Sequence, residues 1–194
     1  MTDIELTADE RQELTTLLCS LIQHPSENPP GNEKAIALFI ADVLRGEGID
    51  VEVQEAVAER PNVIARLKGQ RPGKRLILNG HSDVVPCGAG WSVDPFAAVI
   101  DGDRIIGRGA ADMKSGVAAM MYAAILIQRR QYAFNGEIVL LFNVDEERIN
   151  LGMEHFVAQG VEADYAVIGE PTSLEICVAE KGESRRGKKK NSSG

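Results

Sequence analysis

Four short clusters of acidic and imidazole side chains each follow an apolar or glycine-rich run. His81-Ser82-Asp83 comes after Leu76, Ile77 and Leu78, and Asp112 closes Gly107-Arg108-Gly109-Ala110-Ala111. Asp145-Glu146-Glu147 follows the apolar residues 138–142, and Glu170-Pro171 follows Ala166, Val167 and Ile168. Carboxylates that converge repel one another unless cations neutralise them, and a mixed histidine and carboxylate shell suits zinc. His81 and Asp83 stand two residues apart, so an extended chain points both the same way. Asp83 can then accept the second imidazole N–H while His81 binds metal. Asp112 can place one oxygen on each of two ions, with Glu147 and Glu170 completing separate sides. Two Zn²⁺ balance those three carboxylates and one bridging hydroxide, which forms readily because bound water is acidified to a pKa of ~7. Glu146 is then the candidate general base, able to pass its proton on to a leaving amine.

Each cluster alone has an ordinary explanation. A lone His81 is more often a structural or surface residue, and Asp145-Glu146-Glu147 could be an acidic helix start favoured by the macrodipole. Glu170 before a proline reads equally as a turn. Gly107-x-Gly109-x-x-Asp112 resembles a dinucleotide fingerprint, but an aspartate stands at the third glycine's place, where its charge repels pyrophosphate. Cys87 lies close in sequence to His81 and reads as a packed thiol. It is the joint placement of all four clusters that favours metal.

The elements that must position these residues can be read from periodicity. Residues 9–23 form an amphipathic helical pattern, broken by His24-Pro25-Ser26-Glu27-Asn28-Pro29-Pro30-Gly31. A second helix is predicted over 33–45 and short strands over 50–54 and 62–67. Strands at 75–79, 104–106, 137–142 and 165–168 then alternate with helices at 115–128 and around 152–159. That alternation predicts an α/β domain with a largely parallel sheet. The helix from Ser115 is apolar nearly all round and should be buried against it. In such sheets ligands bind beyond the carboxyl ends of the strands, where all four clusters would lie.

Composition limits the classes further. The 194 residues are 44% hydrophobic and carry a net charge of -8. Six basic residues and one acidic one fall within residues 181–194, so the remaining body stands at -13. An acidic body argues against nucleic acid as a partner. The longest apolar run, 117–127, is shorter than the roughly 18 residues of a membrane span, and no signal peptide opens the chain. A cytoplasmic location and no membrane partner are therefore expected. Three separated cysteines suggest neither a disulfide framework nor a thiolate zinc site. Residues 183–194 hold no large apolar side chain and read as a basic, disordered tail.

The sequence resembles the zinc amidohydrolases and exopeptidases that include acetylornithine deacetylase, succinyl-diaminopimelate desuccinylase, aminoacylase and glutamate carboxypeptidase. The resemblance rests on His81-Ser82-Asp83-Val84-Val85-Pro86, Gly107-Arg108-Gly109-Ala110-Ala111-Asp112-Met113-Lys114, Asp145-Glu146-Glu147 and Gly169-Glu170-Pro171-Thr172. Ser26-x-Asn28-Pro29-Pro30-Gly31 and Trp91-x-x-Asp94-Pro95-Phe96 support it. It implies a three-layer αβα sandwich with a mostly parallel central sheet and two zinc ions, with cobalt as an alternative cation. His81 and Glu170 would hold one ion, Asp112 would bridge, and Glu147 would hold the second. Asp83 would support His81 and Glu146 would act as base. The substrate implied is a small N-acyl amino acid or peptide. The family is homodimeric through an inserted domain, and a returning segment supplies a further histidine ligand. His24 and His155 are the only other histidines, so the chain reads as a truncated member. Residues 1–182 would be the N-terminal part of the catalytic domain, incomplete at its C-terminus. The rival reading is a catalytically incomplete remnant that only binds metal or a partner.

Overall fold

The computed structural model describes residues 5–178; the basic segment 183–194 lies outside the described residues. Helix α1 (Ala8–Ile22) opens at a capping box: the Glu10 amide donates to Thr7 Oγ1 at 3.2 Å, and the Thr7 amide donates to Glu10 Oε2 at 2.8 Å. Helix α2 (Lys34–Gly46) buries Ile36, Ala37, Ile40, Ala41 and Leu44, a stripe at helical spacing. Strands β1 (Asp50–Val57), β2 (Arg60–Lys68) and β3 (Arg75–His81) follow. A small hairpin of β4 (Val99–Asp101) and β5 (Arg104–Ile106) stands apart from the main sheet. A distorted helical turn (Ala110–Lys114) leads into α3 (Ser115–Arg129). Strand β6 (Glu137–Asn143), helix α4 (Leu151–Val157) and strand β7 (Tyr165–Ile168) complete the order.

The main sheet runs β1-β2-β6-β3-β7. β3 pairs parallel with both β6 and β7, whereas β2 is antiparallel to β1 and β6. Only β2 therefore runs against the rest, and the α/β expectation of a mostly parallel sheet stands.

Alternation along the strands divides the core into two layers. Val63, Ala65 and Leu67 of β2, with Leu140 and Phe142 of β6, face the helices α1, α2 and α3. Ile64, Val139, Leu141 and Ile77 face the other way and meet Phe156 of α4. Helices thus cover both faces, giving three layers. Residues Ala110–Arg129 are long and apolar enough to cross a membrane, which the shorter run 117–127 did not suggest, yet 56% of their most apolar window is buried. Val117, Met121 and Ile125 lie inside the core, so α3 is a central helix of the fold.

A candidate metal centre at the carboxyl edge of the sheet

His81 is the last residue of β3, and β6 ends at Asn143, two residues short of Asp145. β7 ends at Ile168, two residues before Glu170. Because these three strands are parallel, their carboxyl ends share one edge. Asp112 reaches the same edge from the distorted turn before α3. That turn starts at Gly109, whose φ of 78° is one that side chains rarely adopt. A Cβ there would also lie 2.4 Å from Val84 Cγ1.

All the site residues expected from the sequence come together. His81 Nε2 stands 3.2 Å from Asp112 Oδ1, 3.7 Å from Glu170 Oε1 and 3.9 Å from Glu146 Oε2. Two donor groups share the imidazole: His81 with Asp112 and Glu147, and His81 with Glu146 and Glu170. Within each group the donor atoms all lie within 4.8 Å of one another, a spread that one cation can gather. Glu146 thus sits beside Glu170, within reach of a cation held there. His24 hydrogen-bonds the Ser20 carbonyl through Nδ1 at 2.7 Å and stacks on Phe39, and His155 lies on α4; neither belongs to these groups.

The orientation of His81 differs in one detail from the expectation. Its Nδ1 lies 2.9 Å from the main-chain carbonyl of Asp83, while the Asp83 carboxylate is 3.6 Å away. The carbonyl is thus the hydrogen-bond acceptor, and Nε2 is left facing the carboxylates. The Asp83 carboxylate, fully buried, instead accepts the Glu146 amide at 3.1 Å, the Glu147 amide at 3.1 Å and Asn28 Nδ2 at 2.8 Å. It therefore shapes the turn that carries both glutamates.

Electrostatics show how crowded the site is with negative charge. Burial opposes charge on His81, but Asp83, Glu170 and Glu146 outweigh it and push the imidazole up to about 9. Burial, together with Asp112 and Glu146, raises the Glu147 and Glu170 carboxyls above their ordinary range despite the pull of His81. Burial also opposes charge on Asp83, yet His81, Asn28 and the Glu147 amide hold its carboxyl below the usual value. Four carboxylates and an imidazole gathered this closely fit a cationic occupant.

Several residues that hold the site lie in the sequence motifs without a role being readable from them. Asp145 is 2% exposed and has a left-handed φ of 68°, which starts the turn to Glu146 and Glu147. Asn28 Nδ2 bridges Asp83 Oδ2 and, at 3.0 Å, Asp145 Oδ1. Lys114, fully buried, donates to the His24 carbonyl at 2.9 Å, and burial pushes its ammonium down to about 7. Asn28 was visible only as part of a proline-rich loop motif, and Lys114 as the end of the glycine-rich one.

Residues 77–181 match the model of peptidase family M20/M25/M40. The chain is 42% identical over 156 residues to succinyl-diaminopimelate desuccinylase of Gluconobacter oxydans, covering 74% of this chain and 39% of that one. It is 31% identical over 173 residues to N-formyl-4-amino-5-aminomethyl-2-methylpyrimidine deformylase of Bacillus subtilis, covering 87% of this chain and 41% of the other. In structure it resembles the M20 family metallo-carboxypeptidase Sso-CP2 of Sulfolobus solfataricus with a TM-score of 0.72, at 24% identity, over 81% of this chain and 37% of that one. The chain therefore spans about two fifths of the length of the curated relatives it matches.

Proposed function

Since the chain belongs to peptidase family M20/M25/M40, we propose that it carries the ligand-bearing part of a metal-dependent hydrolase for amide bonds of N-acyl amino acids or peptides. The observation that carries this reading is the pair of donor groups sharing His81 at the carboxyl edge of three parallel strands. Residues 1–182 are read as the N-terminal part of its catalytic domain, and zinc as the cation. His81, Asp112, Glu147 and Glu170 are the ligands. Two divalent cations held there would polarise the acyl carbonyl and acidify water. Asp83 orients His81 through its carbonyl and fixes the two glutamates through its carboxylate. Glu146 accepts the proton of the attacking water and returns it to the leaving nitrogen. The two relatives are named for removing a succinyl and a formyl group, the class of acyl bond proposed here.

A zinc titration of the 194-residue chain, coupled to hydrolysis of N-acetyl and N-succinyl amino acids, tests the reading. Glu146→Gln is expected to lower turnover by a factor of about 10²–10⁴ while zinc content stays unchanged. Zinc lost along with turnover would make Glu146 a ligand, a role its place beside His81 and Glu170 allows. Zinc binding by the unaltered chain without turnover would favour a metal-binding or interaction domain.

A further inference from the structure

Behind the metal centre lies a second set of charges that the proposed chemistry does not use. Arg60 begins β2, and Glu33 precedes α2. Arg60 donates through Nε to Glu33 Oε2 at 2.8 Å and through Nη2 to both Glu33 Oε1 and, at 2.8 Å, Asp145 Oδ1. The Glu33 side chain is fully buried, and those of Arg60 and Asp145 are 13% and 3% exposed. The register explains the meeting, because Val63 pairs with Phe142 and the antiparallel continuation sets Arg60 opposite Asp145. Asp145 then connects to the site by two routes. Its Oδ1 shares Asn28 Nδ2 with Asp83, and its left-handed backbone turns the Glu146 and Glu147 amides onto Asp83.

We propose that Arg60 is a positioning residue for Glu146 and Glu147, acting through Asp145 and Asn28 rather than by contact with substrate or metal. A non-glycine residue in left-handed conformation persists only where its surroundings over-determine it. Here the Asp145 side chain accepts from Arg60, Asn28 and, at 3.3 Å, the Leu151 amide, while its carbonyl accepts from the Asn150 amide at 2.6 Å. Arg60 is the one cation among these contacts. Without it, Asp145 would face Asp83 across a single amide group with no cation in contact with its own carboxylate. The turn would relax, and both glutamates would leave their places. The planar guanidinium matters because Nε and Nη2 grip Glu33 as a fork, and this fixed seat aims Nη2 at Asp145 as well.

The inference rests on the metal-dependent reading above, so its test reads zinc affinity as well as turnover. Arg60→Lys keeps a positive charge beside Glu33 but loses the Nε–Nη2 fork on Glu33 that fixes where the cation meets Asp145. The double change Glu33→Gln with Arg60→Met removes the Glu33 charge together with its partner, so that only Asp145 loses its cation. Zinc affinity, measured by equilibrium dialysis, and the visible spectrum of the cobalt-loaded chain are the readouts. Supporting groups behind metal ligands typically change affinity by about 10–100-fold, and a weakening of that size is expected in both variants. The cobalt spectrum should change, and kcat should fall with KM nearly constant. Ile40→Ala, in the α2 core, serves as a control that lowers the melting temperature without moving zinc affinity. Unaltered zinc affinity, cobalt spectrum and kcat in either folded variant would overturn the positioning role while leaving the metal reading intact. Failure of the unaltered chain to bind zinc or cobalt would overturn the metal reading and this inference with it.

Discussion

Asn28 shows how closely the charges behind the site are balanced at the scale of single residues. A side-chain amide has two N–H donors, and both are used, at 2.8 Å to Asp83 and 3.0 Å to Asp145. Asn28→Asp would bring a third carboxylate against two buried ones and reverse both contacts. That change is expected to cost at least about 3–5 kcal/mol, the range for an uncompensated buried charge. Asn28→Ala should cost less, about 1–3 kcal/mol for the acceptors it strands. Urea denaturation of both variants checks the order; an Asp variant as stable as the Ala variant would refute the account. The proposed ligands were legible in sequence, because His81, Asp112, Glu147 and Glu170 each stand beside the end of a readable element. Arg60 was not, since its role depends on a strand register that brings it opposite a residue 85 positions away. The left-handed backbone of Asp145 was equally hidden, because aspartate in αL has no pattern of its own.

At the scale of elements, the site depends on how closely α3 approaches the end of β7. A Cβ built on Gly116, in the first turn of α3, would lie 2.4 Å from the Gly169 carbonyl oxygen. That oxygen is backbone beside Glu170, so it cannot yield without moving this proposed ligand. Gly116→Ala is therefore expected to push α3, with Asp112 at its start, away from Glu170. Overpacking of this kind costs about 1–3 kcal/mol, and zinc affinity should fall together with the melting temperature. Calorimetry and dialysis on the same variant would decide; a stable variant with native zinc affinity would show that the two elements can separate freely. Period-two and helical patterns identified the strands of the main sheet and the four helices to within a few residues. They missed β4, whose three residues are too short to show alternation. They also missed the reversal of β2, since the same alternating pattern serves a strand running in either direction.

The whole molecule concentrates acidic groups at one edge, and this gives its stability a dependence on both metal and pH. In the metal-free chain, burial and neighbouring carboxylates raise Glu147 and Glu170 above the ordinary 4.5. His81 stands at about 9 against an ordinary 6.5, its carboxylate neighbours overcoming burial. Each of these groups holds its proton more tightly in the folded chain than in the unfolded one. Their contribution is therefore fully present below the unfolded values and is lost as pH rises through the folded ones. Asp83 and Asp145 are lowered instead, so their contribution is lost only below about 3.8, outside the neutral range. Zinc acts in the opposite sense, since its ligands must be deprotonated and its stabilisation grows with pH. The melting temperature of the zinc-loaded chain should therefore exceed that of the chelated chain by a gap that widens from pH 5 to pH 8. With free zinc at 100 times its dissociation constant the gap corresponds to about 2.7 kcal/mol. Thermal scans with zinc and with chelator across that range measure it, and a gap that is absent, or that narrows as pH rises, would show that these carboxylates do not gather a metal ion.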